Sequence, residues 1–228
     1  KHPRVLMVLY SAFVPPLQNI LNIPNFAAEL FGRTSTGKST ALQVGASVWG
    51  NPDEKSSSAV MHTWDNTRVY LERAAAIISG LPLIFDDTKR AKDPRIIGDL
   101  LYTLESGHGR GRGNTRSVAL TRNWRTVLLS SGEAPASSYT QAGGAKTRIL
   151  EIRGLPFDGD GPITRLLVVN LSASVCANFG HAGPLFVQYL MQHKDQWAEW
   201  RKEYADRVAA YATAIFAKGP EAGRLASY

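Results

Sequence analysis

Gly32-Arg33-Thr34-Ser35-Thr36-Gly37-Lys38-Ser39 sets two glycines, a lysine and a hydroxyl at the spacing G-x-x-x-x-G-K-[ST]. The chemistry of that pattern is the gripping of phosphate. Main-chain N–H groups and a helix N-terminus converge on an anion in such a loop, and glycine lets the backbone come close to it. Lys38 would set a point charge against β- and γ-phosphates, and the Ser39 hydroxyl is a ligand for Mg²⁺. With Thr40, these residues are the candidate contacts for ATP. The competing reading is a Gly/Ser-rich turn that matches by chance.

Such a loop has to run from an apolar strand into a helix, and both flanks comply. Phe26-Ala27-Ala28-Glu29-Leu30-Phe31 reads as a short, mostly buried strand. Residues 39–49 carry apolar side chains at helical spacing until Gly50-Asn51-Pro52 stops them. Further on, the apolar run Leu81-Pro82-Leu83-Ile84-Phe85 ends in Asp86-Asp87-Thr88, the form of a metal-binding strand. Asp86 is expected to hold Mg²⁺ through water, and Asp87 to orient or deprotonate an attacking water. An Asp-Asp pair after a strand is also a common turn or helix cap, so both readings stand. A third strand, 124–129, leads into Ser130-Ser131-Gly132-Glu133, where either serine could position the lytic water. Arg148, just before the strand 149–152, suits a finger reaching into a neighbouring subunit. A plain surface arginine fits the same spacing.

The chain has 228 residues, with 26 Lys and Arg against 19 Asp and Glu, a net charge of +7. That balance favours a polyanionic partner, and the excess is uneven. Between residues 107 and 125, Arg110, Arg112, Arg116, Arg122 and Arg125 accompany Gly107, Gly109, Gly111 and Gly113 with little apolar surface. Such a segment neutralises phosphates without reading sequence, and DNA, a single strand above all, is the expected partner. A solvated basic loop is the alternative. One cysteine, Cys176, excludes a disulfide framework and a Cys-rich zinc site and is expected to fill core. The longest apolar run, 4–14, is too short to cross a bilayer, so no membrane association is expected and the chain is placed in the cytoplasm. The absence of an initial Met and the helical pattern at the end suggest a piece of a longer polypeptide.

The alternation of elements predicts an α/β fold with a mostly parallel sheet. Residues 4–10 and 16–21 read as a leading helical segment broken at Pro15-Pro16. Thr67 is a candidate cap for a helix over 68–79, with Glu72 expected in solvent. Residues 94–106 form a further helix, and 184–218 carry an apolar stripe at helical spacing that predicts a long helical tail. The expected division is an N-terminal helical segment (1–25), a core carrying the phosphate loop (26–155) and a helical extension (156–228).

Taken together, several segments resemble the ATPase domain of mobile-element primase-helicases, a family long known only as a domain of unknown function. They are Phe31 to Leu42, Ala46-Ser47-Val48-Trp49-Gly50, Trp64 and Thr67, the Asp-Asp strand, Trp124-Arg125, Leu128 to Glu133 and Gly144 to Arg148. The family looks related to superfamily 3 and minichromosome-maintenance-like helicases in the AAA+ class. The resemblance implies a P-loop NTPase three-layer sandwich with a helical C-terminal extension, and a ring, a hexamer, with ATP hydrolysed at its subunit boundaries. It also implies Walker A roles for Lys38 and Ser39, Walker B roles for Asp86 and Asp87, and a sensor role for Ser130 or Ser131. Arg148 becomes the trans-acting finger, and residues 108–122 a hairpin whose Arg110, Arg112, Arg116 and Arg122 hold DNA. Asp87 departs from the usual Asp-Glu by one methylene. The first expectation is an ATP-driven DNA translocase or helicase; the second is an ATP-switched loader or remodeller without unwinding activity. A small-molecule kinase is a third reading, for which no acceptor pocket is marked.

Overall fold

The computed structural model describes residues 2–108, 123–140 and 143–216. Its centre is a five-stranded, wholly parallel sheet in the order β2-β3-β4-β1-β5. The strands are β1 (Phe26–Phe31), β2 (Met61–Thr63), β3 (Leu83–Asp86), β4 (Val127–Gly132) and β5 (Ile149–Arg153). Strand β2 has only three residues, too few to show a period in the sequence.

Helices cover both faces of the sheet, and strand alternation divides the core between them. Phe26, Ala28 and Leu30 of β1, with Val127 and Leu129 of β4, pack beneath α1 (Pro3–Leu21) and α2 (Lys38–Ser47). Ala27 and Leu128 pack instead with Leu71 and Ala75 of α3 (Arg68–Ile77) and with Ile97, Leu100, Leu101 and Leu104 of α4 (Arg95–Ser106). The Thr67 hydroxyl accepts from the Tyr70 N–H and caps α3. Glu72 is buried rather than solvated, because the Arg68 guanidinium pairs with it at 3.0 Å.

Helix α1 runs unbroken through Pro15 and Pro16, against the expected break. Proline removes the N–H that would bond four residues back, and for Pro16 the stranded acceptor is the Ala12 carbonyl. The Trp49 indole N–H supplies that bond at 2.8 Å. By length and composition the 19-residue α1 is apolar enough to cross a membrane, which the run 4–14 did not foreshadow. Here Val5, Val8 and Ala12 lie in the core.

The C-terminal region holds three helices in place of one long tail. They are α6 (Pro162–Ala177), α7 (Ala182–Gln192) and α8 (Trp197–Phe216), after the four-residue α5 (Gly143–Lys146). Helix α6, with Pro at its start, lies against α2, where Ser172 donates to Gln43 at 2.7 Å. Gly183 makes room for the Trp49 ring, since a Cβ there would stand 2.4 Å from it. Of the apolar stripe, Leu190 is buried while Leu185, Tyr189 and Tyr211 are exposed. Cys176 is only half-buried on α6, so it does not fill core.

Glu29 stands mid-strand in β1 with 0 % exposure, level with Glu151 of β5. Burial pushes its carboxyl from 4.5 up to about 8, against the Ala136 N–H that it accepts, and Glu151 adds repulsion. The folded chain therefore holds one proton more than the unfolded chain between those values, and stability falls as pH rises through that window. Glu29→Gln is expected to flatten the pH dependence of urea unfolding between about 5 and 8, and an unchanged slope would refute the assignment. Trp49→Phe keeps the ring but strands the Ala12 carbonyl; a loss of about 1–3 kcal/mol in the same unfolding assay is expected.

Candidate phosphate-binding site

The loop between β1 and α2 leaves the carboxyl end of the sheet beside the point where chain order reverses, the place where open α/β sheets bind ligands. Gly32, Ser35 and Gly37 have positive φ of 140°, 58° and 86°. Gly32 N–H donates to the Gly132 carbonyl at 3.1 Å, which ties the loop to β4. Thr36 donates to the Arg33 carbonyl at 3.0 Å, and Gly37 caps α2. Lys38 opens that helix and is 8 % exposed. Its Nζ donates to the carbonyls of Gly32 at 3.0 Å and Arg33 at 2.6 Å. Burial lowers its pKa, while the carboxylates of Glu133, Asp86 and Asp87 pull it back up.

Asp86 ends β3, and the β3–β4 register of Phe85 with Ser130 sets it level with Ser131. The Ser131 hydroxyl donates to Asp86 Oδ1 at 2.5 Å and accepts the Asp87 N–H at 3.1 Å. Ser130 points to the opposite face, where its hydroxyl accepts from the buried Trp64 indole at 3.1 Å. Of the two serines, Ser131 is the one that faces Asp86 and the cavity, and Ser130 is a core partner of Trp64. Alternation along Val127, Leu129 and Ser131 was the available signal, because that face also carries the α2 packing.

Asp87 has a positive φ of 59°, and its Oδ1 accepts the Lys89 N–H at 3.1 Å, capping the 3-10 turn Thr88–Arg90. Thr34, Ser35, Thr36, Gly37, Lys38, Ser39 and Thr40 share a cavity of about 340 Å³ with Asp86, Asp87, Ser131, Arg90 and Glu133. Arg90 pairs with Glu54 at 3.2 Å. Sequence reasoning assigned Glu133 no role; it lies just beyond the end of β4 and lines the same cavity as Ser131.

The donor set suits a triphosphate with a divalent cation. An ammonium and an amide-rich loop face a carboxylate and the Ser39 and Ser131 hydroxyls in one polar cavity.

Arg148 is not brought to this cavity. Its carbonyl accepts the Ala27 N–H at 2.9 Å, at the opposite end of the sheet. The four residue steps from Ala27 to Phe31 put its backbone roughly 13 Å from the loop along the strand. Arg110, Arg112, Arg116 and Arg122 lie outside the described residues. Their described flanks meet at that same far end, where His108 bridges Asn123 antiparallel and the Trp124 N–H donates to the Gly107 carbonyl at 2.8 Å.

No curated protein matches the sequence. Among solved structures, the chain is similar to the SCCmec type IV Cch active helicase, with a TM-score of 0.77 and 23% identity. The similarity covers 99% of this chain and 41% of that one, so the chain spans about two fifths of its relative's length. At this identity the likeness concerns the fold, an α/β sheet with flanking helices. The profile of the Domain of unknown function (DUF927) matches residues 1–124, more than half of the sequence, and the chain belongs to that family.

Proposed function

We propose that the chain is the ATP-hydrolysing module of a DNA translocase or helicase of a mobile genetic element, with a P-loop NTPase core of the AAA+, superfamily 3-like kind. The single observation that supports it most is the buried Lys38 ammonium sharing one cavity with Asp86 and the Ser131 hydroxyl. The fold shared with a mobile-element helicase supports the same reading. In this proposal residues 26–155 are the catalytic core, and 1–25 and 156–228 are helical layers added to it. The protein works on DNA in the cytoplasm.

Gly32 to Thr40 hold the triphosphate, with Lys38 leaving the Gly32 and Arg33 carbonyls for β- and γ-phosphate oxygens. Ser39 and Asp86 hold Mg²⁺, which when bound offsets the charge on those oxygens. Ser131 fixes the Asp86 carboxylate through its hydroxyl and orients the reacting face. Arg148, remote from its own cavity, serves a neighbouring subunit's site in a hexameric ring. Arg110, Arg112, Arg116 and Arg122 carry single-stranded DNA.

A second reading, an ATP-switched loader that grips DNA without unwinding it, is favoured by one observation. The Asp87 carboxylate is engaged in capping its own turn, which weakens it as an activator of water. Strand displacement beside ATP turnover separates the two readings.

Lys38→Ala is expected to abolish ATP turnover; surviving turnover would refute the phosphate site. Replacing Arg110, Arg112 and Arg116 together by Ala is expected to weaken DNA binding and flatten its dependence on salt by up to about two units of log–log slope. An unchanged slope would remove these residues from the account.

A further inference from the structure

We infer that Glu133, at the end of β4, is the carboxylate that activates the attacking water in this site, in place of Asp87 beside the metal-binding aspartate. The inference rests on the nucleotide reading above and extends it to one group.

Position comes first. The β1–β4 register ends at the pair Phe31 and Gly132, so Glu133 follows directly on the residue that lies beside the start of the Gly32 loop. On the other side, the register of Phe85 with Ser130 carries Asp86 level with Ser131, and the Asp87 N–H donates to the Ser131 hydroxyl. Glu133 thus emerges between the phosphate loop and the Asp-Asp segment. It lines the same cavity, and among the carboxylates acting on Lys38 it contributes more than either aspartate.

Availability comes second. Glu133 pairs with Lys89 at 3.2 Å, and both side chains are well exposed, at 41% and 69%. An exposed pair of this kind is worth little and is readily given up. Asp87 is the opposite case. Its backbone is held at φ 59°, and its Oδ1 caps the turn that follows, so turning it toward a ligand would uncap Thr88–Arg90. Glutamate also reaches one methylene further than aspartate.

The step balances with water as the co-reactant. A water proton passes to a Glu133 carboxylate oxygen while the water oxygen bonds to the γ-phosphorus. The bond from that phosphorus to the β,γ-bridging oxygen breaks, and its electron pair leaves on ADP. The proton then returns to solvent, and the carboxylate is restored.

The test compares Glu133→Gln and Asp87→Asn in the full chain, reading DNA-stimulated ATP turnover and, by calorimetry, the Kd for ATP with Mg²⁺. Glu133→Gln is expected to slow turnover by roughly 10²–10⁴-fold, the usual worth of a general base. Its ATP affinity should hold or tighten, because one negative charge facing the triphosphate is gone. Asp87→Asn is expected to cost less than about tenfold in turnover, the effect of a weakened cap on site geometry. Turnover kept in Glu133→Gln and lost in Asp87→Asn would overturn the inference and return the role to Asp87. ATP binding weakened about tenfold or more in Glu133→Gln would overturn it in favour of a structural role. Failure of the unaltered chain to bind ATP would overturn the nucleotide reading itself, and this inference with it.

Discussion

The pairing of β4 between β1 and β3 is the constraint on which the candidate site depends. Parallel strands have evenly spaced hydrogen bonds and a fixed register, so each strand's last residues reach the same edge of the sheet at set heights. Here β1 delivers the glycine that opens the phosphate loop, β3 delivers Asp86, and β4 delivers Ser131 between them. A slip of one residue in β4 would exchange Ser131 for Ser130 and turn Asp86's hydroxyl partner into the opposite core. Val127, Leu128 and Leu129 are apolar and fully buried on both faces, so the register is held by their packing and by hydrogen bonds at the two ends of the strand, Thr126 to Asn25 and Gly32 to Gly132.

Around that register the chain sustains an unfavourable arrangement of charge. An ammonium that is partly buried loses hydration, and nearby acceptors and carboxylates offset the loss. For Lys38 these are two loop carbonyls and the carboxylates of Glu133, Asp86 and Asp87. The loop that presents the carbonyls also spans positive-φ positions at Gly32, Ser35 and Gly37, of which Ser35 has no glycine's freedom. Local preference is therefore overruled where the cavity is formed, a common mark of functional segments. The rest of the molecule supports this locally costly region. Arg4 of α1 donates to the Arg153 carbonyl at 3.0 Å and pairs with Asp158, and Trp49 locks the end of α2 onto α1.

Strand β4 also joins the two ends of the sheet. Its last residues touch the candidate site, while its approach, Trp124 to Thr126, is fastened at the other end. There Asn25 accepts the Thr126 N–H at 3.0 Å and donates to the Leu104 carbonyl at 2.9 Å. Gly107, His108 and Asn123, the described neighbours of the arginine-rich residues 109–122, lie at that same end. A fully buried strand thus runs from the polar cavity to the residues that flank 109–122.

The sequence alone determined those features that rest on local spacing. These include the Gly32–Ser39 loop between a strand and a helix, the Asp-Asp strand, the Thr67 cap, the α4 stripe and the parallel α/β class. Each depends on chemistry within a few residues, where glycine, apolar period and capping side chain act directly. Tertiary structure decided the rest, because the outcome depended on a distant partner. Ser131 was separated from Ser130 by β3 on one face and Trp64 on the other. Pro15 and Pro16 stayed within one helix because an indole thirty-seven residues away serves the Ala12 carbonyl. Glu72 was buried by Arg68 and the α3–α4 packing, and Glu133 joined the cavity only once β4 was set between β1 and β3.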